Sequence, residues 1–411
     1  MHTMSSIKIR NLFGDIKVLD FTWAGTGPRT TKYLAEYGAQ VVKIESHLRP
    51  DVLRTLPPYK DDEVGINRSQ TFAKHNNNKL SMALNLNHPR ASEVIQKLVL
   101  WADIICESFT PGTLARWGLN YEEVRKIKPS IIMMSTSMQG QTGPASKHQG
   151  FGTPLTSLSG FNYITGWPDR PPSGVYGPFT DFVAPLFNIL GILAALDYHH
   201  RTGKGIYLDL SQNECAIHFL SPIILNYQAN GQEFQRRGNK SFRFAPHGIY
   251  PCKGEDRWCA IAVRNEAEWE SFCQVLGYPT WVYAPDFTTT DKRITNSQEL
   301  DELVGQWTIT HSAEDVMCLM QGAGVPAGVV QTGEDLLKDP QLRHYQAFPV
   351  VHHPEIGECT CLRSCLQLTK MPACEITPPP LLGEHTEYVC RQLINMPDEE
   401  YISLLLDNVF E

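Results

Sequence analysis

Three observations predict an α/β chain of two lobes. Apolar strands alternate with amphipathic helices through the first half, a Gly- and Pro-rich aromatic stretch from Phe151 to Thr180 interrupts them, and the texture turns turn-rich after about Phe219. The expected form is a Rossmann-like, doubly wound large domain over residues 1–219, with a mostly parallel sheet covered on both faces, and a smaller α+β domain over 220–330. Residues 331–411 are expected to return to the large domain.

The elements follow in order. "IKVLDFT" reads as a strand, "TTKYLAEYG" as a helix closed by glycine, and "AQVVKIE" as the next strand. "KLSMALNL" is extended, "PRASEVIQKLVLWA" helical, "DIICESF" a strand, "YEEVRKIKP" a short helix and "SIIMMSTS" a strand. The stretch 151–180 is expected to be a long functional loop. A long apolar helix and the strand "IYLDL" then restore the alternation. In the smaller lobe "RWCAIAV" reads as a strand, and "AEWESFCQVLG" and "AEDVMCLMQGAG" as helices. "FPVVHHP" is strand-like and "HTEYVCRQLI" helix-like.

With 411 residues, 42% of them hydrophobic and 19% charged, the composition is that of a globular protein, and a formal net charge of -8 argues against a nucleic-acid partner. The apolar run Phe182–Leu196 contains Pro185, Asn188 and Gly191 and falls short of the roughly 20 residues of a bilayer span, so no membrane partner is expected. The opening "MHTMSSIKIRNLFGD" lacks the apolar segment of a secretory signal, which makes a cytoplasmic location the expectation. Eleven scattered cysteines read as reduced thiols. In "CTCLRSC", Cys359, Cys361 and Cys365, with Cys374 beyond, are read as strand cysteines rather than a soft-metal site, because no CxxC pair is present; no metal is expected.

Two local signals bear on chemistry. "FTWAGTGP" follows a strand and opens a helix, but only Gly25 and Gly27 fit a dinucleotide fingerprint, and Pro28 and Arg29 follow them. A tight strand-to-helix turn is the better reading. Asp181 precedes the apolar helix, where it reads as an N-cap, and a capped carboxylate is also an oriented, ionised nucleophile.

Taken in order, "KVLDFTWAGTGP", "YLAEYGAQVVKIE", "NNNKLSMALNL", "ADIICESFTPGTLARWGLNYEEVRKIKPSIIMMSTSMQGQTGP", "DFVAPLFNILGILAALDYHHRTGKG" and "PPLLGEHT" resemble the class III CoA-transferases over nearly the whole chain. The resemblance implies that Asp181 attacks an acyl-CoA thioester to form an aspartyl-acyl anhydride. It implies that Phe109 and Arg116 hold the adenine and phosphates of CoA, that Asn78 and Lys79 of the "NNNK" run lie near CoA, and that Gly25 and Thr26 approach the thioester. Where the family commonly has Gln-Ala or Leu-Ala this chain has Gly25-Thr26, and the basic residue that often follows "KIE" is Ser46, with His47 and Arg49 as candidate substitutes.

A racemase of the family pairs the aspartate with a histidine, which would fall at Phe151; His148 is near but out of register, and a transferase is therefore favoured over a racemase. Phe151, Tyr163, Trp167 and Arg170 are the candidate acceptor-binding residues; Phe161, Tyr163, Trp167, Tyr176 and Arg170, in the stretch before Asp181, resemble a succinyl-CoA:benzylsuccinate CoA-transferase subunit. The substrates implied are an acyl-CoA, succinyl-CoA foremost, and a small carboxylic acid such as benzylsuccinate, with no tightly bound cofactor. The assembly implied is an interlocked homodimer or a heteromer with a paralogous subunit. The alternatives are a non-catalytic partner subunit, or an acyl-CoA racemase or isomerase.

Overall fold

The computed structural model describes residues 11–371 and 375–411; Cys374 lies outside the described residues. Six strands, β1 (Lys17–Phe21), β2 (Gln40–Glu45), β3 (Leu80–Ala83), β4 (Ile104–Glu107), β5 (Ile132–Ser137) and β6 (Ile206–Ser211), form one sheet in the order β3-β2-β1-β4-β5-β6. Every pairing is parallel. Their apolar residues are spent on two faces: Leu19, Phe21 and Ile105 enter one core, while Val18, Val41 and Ile104 enter another. Burial on both sides is why these strands read as nearly continuous apolar runs.

The helices α1 (Thr26–Glu36), α2 (Gln70–Asn76), α3 (Ala91–Trp101), α4 (Tyr121–Ile127), α5 (Gly152–Leu158), α6 (Phe161–Ile164) and α7 (Phe179–Thr202) connect or cover the sheet. Leu34 and Ala35 of α1 share a core with Ile192 and Ala195 of α7. Val94 and Leu98 of α3 share the other with Val389, Leu404 and Phe410 of the C-terminal segment.

The chain divides into two compact units. The first holds the residues up to Asn162, Gly174–Glu233 and Gln341–Glu411; the second holds Tyr163–Ser173 and Phe234–Pro340. The expected junctions at 219/220 and 330/331 thus precede the observed ones at 233/234 and 340/341, because a helix at Ser221–Asn230 prolongs the first unit and one at Gly333–Lys338 prolongs the second. The second unit is built on an antiparallel sheet of β7 (His247–Pro251), β8 (Trp258–Ala262) and β9 (Ala327–Val329). Trp269, Phe272, Leu300, Val304, Val316 and Met320, from three helices, pack with Tyr250, Cys259 and Ile261 of the strands into its own core.

Two expectations need correction. The stretch 151–180 is not a structureless loop: it contains α5 and α6, whose short runs of small and aromatic residues carry little helical periodicity. Nor do Pro185, Asn188 and Gly191 break the apolar helix. It runs unbroken for 24 residues with Pro185 inside, and is long and apolar enough, by length and composition, to cross a membrane. Its inner face nevertheless packs within the first unit, where the Asn188 amide donates to the Thr30 hydroxyl at 3.0 Å. A hairpin of β10 (Val350–His353) and β11 (Gly357–Thr360) buries Cys359, and Cys361 just beyond it is buried as well; Cys365 is exposed.

Candidate active site

In an open α/β sheet, the crevice for a ligand opens where the connections diverge to opposite sides, outside the carboxyl ends of the strands. Here β1 is that point, flanked by β2 and β4. The chain leaving β1 is tied to the chain leaving β4: the Trp23 N–H donates to Ser108 Oγ at 2.9 Å, and that hydroxyl donates to the Trp23 carbonyl at 3.0 Å. Ala24 sits at φ 63°, an uncommon conformation for alanine, and its N–H donates to Asp51 Oδ1 at 3.0 Å. Lys43, paired with Asp51 at 2.9 Å, donates to the Thr22 carbonyl at 2.6 Å. Buried charge thus clamps the turn from below.

That turn delivers Gly25 and Thr26 to Asp181. The Thr26 hydroxyl donates to Asp181 Oδ1 at 3.1 Å. A Cβ on Gly25 would stand 2.7 Å from Asp181 Oδ2, and one on Gly152 would stand 2.7 Å from Oδ1, so only glycine lets both backbones approach the carboxylate this closely. Asp181 is not the helix cap expected from the sequence. α7 starts at Phe179 with Pro178 in the cap position and no side-chain capping bond, which places Asp181 in the first turn. Pro185, four residues on, offers no N–H to the Asp181 carbonyl. The carboxylate is therefore free of helix-capping duty, and it lines a cavity of about 360 Å³ together with Trp23, Gly25, Thr26, Phe109, Phe151 and Gly152. Burial pushes its pKa up to about 6, against the pull of the Thr26 hydroxyl and the positive charge of Arg29. A desolvated carboxylate facing a cavity of acyl-group size can act as a nucleophile or as a base.

The other expected residues divide. Phe109 lines this cavity and also a neighbouring slot of about 120 Å³, where Trp23 and Trp117 meet it edge-on at ring distances of 5.2 and 6.1 Å. Ser46 and Arg49 line the same slot. Arg116 is exposed one residue before Trp117. Lys79 is fully enclosed, and its ammonium donates to Asp20 Oδ2 at 3.0 Å and to the Pro28 carbonyl and Asn76 Oδ1 at 2.9 Å each. The Asn78 amide donates to the Glu375 carbonyl at 2.8 Å and accepts from the Thr377 N–H at 3.1 Å. Both residues have their polar atoms committed within the first unit. Phe151 lines the Asp181 cavity and is 67% exposed. Tyr163, Trp167 and Arg170 belong to the second unit, where Arg236 lies over the Tyr163 ring and Trp167 lies against Gly238.

Several residues at the site were not singled out by the sequence. Gly152 is one, although "GFGTP" marks a turn. His148, set aside in the sequence as out of register for a racemase, also lines the cavity, on its exposed side. Glu107, at the end of β4, has its carboxyl pushed up to about 7 by burial, held against by hydrogen bonds from Ser135 and the Phe109 N–H. Ser137 Oγ and Trp23 Nε1 are buried without hydrogen-bond partners among the described residues, and both residues line the cavity. Arg29 was noted only as a departure from a glycine fingerprint. Among the described residues no group of three or more His, Cys, Asp or Glu side chains is placed to hold a metal ion.

The model of the family described as "CoA-transferase family III" matches residues 13–386. Among curated relatives, the succinyl-CoA–D-citramalate CoA-transferase of Chloroflexus aurantiacus is 31% identical over 98% of this chain and 98% of its own length. The succinyl-CoA:glutarate CoA-transferase of Mus musculus is 29% identical over 96% of this chain and 89% of its own. A solved structure of a CAIB/BAIF family protein from Brucella suis superposes with a TM-score of 0.85 at 26% identity, covering 93% of this chain and 100% of that one.

Proposed function

Since the chain belongs to CoA-transferase family III and is a CoA-transferase, we propose that it moves CoA from succinyl-CoA to a short dicarboxylic acid through an anhydride formed on Asp181. The observation that carries this reading is the Asp181 carboxylate itself: it faces a cavity, is pushed up to about 6 by burial, and is approached so closely by Gly25 and Gly152 that a side chain on either would displace it.

The chemistry is balanced without ATP or a metal. An Asp181 oxygen attacks the thioester carbonyl, the C–S bond breaks and CoA leaves as thiolate. The thiolate then attacks the aspartyl carbonyl of the anhydride, releasing the donor acid as its carboxylate and leaving an aspartyl-CoA thioester. The acceptor carboxylate attacks the aspartyl thioester carbonyl, the C–S bond breaks and an aspartyl-acceptor anhydride forms; the released thiolate then attacks the acceptor's acyl carbon, which yields the new thioester and frees the Asp181 carboxylate. An anhydride is about as activated as a thioester, so the steps run near balance provided water is kept away. The Thr26 hydroxyl steadies the attacking carboxylate. Phe109, Trp23 and Trp117 offer aromatic surface for adenine in the adjoining slot, with Arg116 beside it for phosphate.

Succinyl-CoA as donor rests on the names of the relatives, which also include a succinyl-CoA:mesaconate CoA-transferase of Haloarcula hispanica, 30% identical over 90% of this chain. Their acceptors are aliphatic diacids, and we take the same class here. An arylsuccinate carries the same two carboxylates; of the four candidate acceptor-binding residues, Phe151 lines the cavity. The active form we propose is a dimer, interlocked as the family resemblance implies or completed by a paralogous chain. Its support is apolar surface left open on the first unit: Leu186, Leu190 and Leu193 on α7 are 56, 64 and 40% exposed.

The test is mass spectrometry of the protein mixed with succinyl-CoA, with hydroxylamine trapping. A hydroxamate or CoA adduct at position 181 in the wild type and none in Asp181→Asn supports the anhydride route. A wild type that forms no adduct and releases no CoA would mean a non-catalytic partner chain.

A further inference from the structure

We propose that Arg29 is the specificity residue that receives the distal carboxylate of a dicarboxylic acyl group, an inference that rests on the transferase reading above and goes on to name its acyl selectivity. Thr26 and Arg29 are three residues apart on α1, which places them on one face of that helix. Thr26 is the residue that holds Asp181, so Arg29 stands one turn from the reacting carboxylate. Its guanidinium lies over the ring of Phe182, the residue after Asp181, at 4.5 Å from the centroid. Stacking of this kind fixes the plane of the fork without using its N–H donors.

One of those donors lacks a destination. Arg29 Nη1 is buried with no hydrogen-bond partner among the described residues. A buried, unpaired donor on a charged group is costly, and a carboxylate ligand would remove that cost.

The surroundings are short of negative charge. Lys74, at the end of α2, is held below the usual lysine range by burial and then by the charges of Arg29 and Lys32. His75 is kept neutral, pushed down to about 3 chiefly by burial, with Lys74, Arg29 and Lys32 adding to the effect. Lys32 has an acid of its own, Glu36 at 3.3 Å. The carboxylate on which Arg29 acts is Asp181, and the proposed mechanism neutralises Asp181 when it becomes acylated. At that moment an anion on the acyl group is what the guanidinium needs.

The scale fits. Three residues of helix carry the chain about 4.5 Å along its axis from Thr26 to Arg29. In a four-carbon diacyl chain the distal carboxylate reaches about 5 Å from the reacting carbonyl at ordinary bond lengths. A monocarboxylic acyl group of the same length would leave Nη1 unpaired.

The experiment compares succinyl-CoA with butyryl-CoA, a thioester of equal chain length that lacks the second carboxylate. CoA release is followed in wild type, Arg29→Gln and Arg29→Lys. The expected result is a succinyl-to-butyryl ratio of kcat/KM that falls about 30-fold in Arg29→Gln, the worth of one charge-assisted hydrogen bond, and falls less in Arg29→Lys, which keeps the charge but not the fork. A ratio that stays constant in both variants, whether the two rates drop together or not at all, overturns the inference. A wild type that prefers butyryl-CoA overturns it while leaving the transferase reading intact. A wild type that releases CoA from neither thioester overturns the donor assignment instead.

Discussion

Asp181 bears a cost of folding that its chemistry explains. Its carboxyl, pushed up to about 6 by burial, binds a proton more tightly in the folded chain than at the ordinary value of 3.8. Stability from the protonated form is therefore complete below about pH 4 and is lost as pH rises through about 6, the opposite of a salt-bridged aspartate. Asp181→Asn resembles the protonated form at every pH. The variant is expected to match wild type in thermal unfolding near pH 4 and to exceed it at pH 8 by on the order of 1–2 kcal/mol, with transfer activity abolished. Equal or lower stability at pH 8 would mean that the carboxylate is not desolvated as described. In the proposed mechanism only the ionised form attacks, so activity is expected to rise with pH through the same titration. The family resemblance is what singles this residue out in the chain, but its place in the helix was not legible. Asp is so good an N-cap that "YGPFTDFVAP" reads as starting the helix just after Asp181, whereas the backbone enters it three residues earlier, with Pro178 in the cap position and Phe179 first in the helix.

Strands and helices of the first half were legible because burial on two faces and on one stripe gives two distinct periods. The segment between β5 and α7 was not: its glycines, prolines and serines suppress both periods, yet it folds into α5 and α6 and brings Gly152 to the carboxylate. Lys79 was misleading for a different reason. A lysine at the end of a polar run, just before β3, looks solvated, but this one crosses to β1 and pairs with Asp20. Burial pushes the Lys79 amine down to about 8, and the attraction of Asp20 opposes it. Asp20 is held below its ordinary range despite burial, because Lys79, Lys43 and the hydroxyls of Thr22 and Thr31 all favour its charge. The direction for Asp20 shows that it stays ionised near neutrality, so removing its partner leaves a buried charge. Lys79→Met is expected to lower stability by about 3–5 kcal/mol in urea unfolding, with Asp20→Asn in the same chain recovering much of that loss. If the single variant costs less than about 1 kcal/mol, the pair is not holding β1 to the start of β3. Because Asp20 ends one residue short of the turn clamped by Lys43 and Asp51, the same loss should loosen the approach of Gly25 and Thr26.

At the scale of the molecule, the chain leaves its first unit twice and returns twice, and the return at 341–411 is structural rather than ornamental. Val389, Leu404, Val409 and Phe410 sit in the same core as Leu19 and Leu98, and Lys97 pairs with Glu400 at 2.6 Å. The first unit is thus closed by its own C-terminus, yet it leaves a row of leucines open. Leu186, Leu190 and Leu193 recur along one face of α7, and Ile224, Leu225 and Tyr227 on the helix at Ser221–Asn230 are 47, 60 and 56% exposed. The opposite face of α7 is the one buried against α1 and the sheet. A helix that is apolar on both faces has a second surface to cover. A second chain of this protein, or a paralogue, would cover it, as the family resemblance implies; the apolar pattern alone does not place the contact, because an apolar helix reads alike whether it is wrapped by its own fold or by a partner. Light scattering at micromolar concentration is expected to give twice the chain mass. Leu186→Glu with Leu190→Glu should shift it toward the single chain, since each charge would be buried at the contact. A wild type that is monomeric and fully active would overturn the dimer and leave the leucine row without a partner in catalysis. A monomeric, inactive wild type that becomes active only with a paralogous chain would instead identify that chain as the one that covers α7.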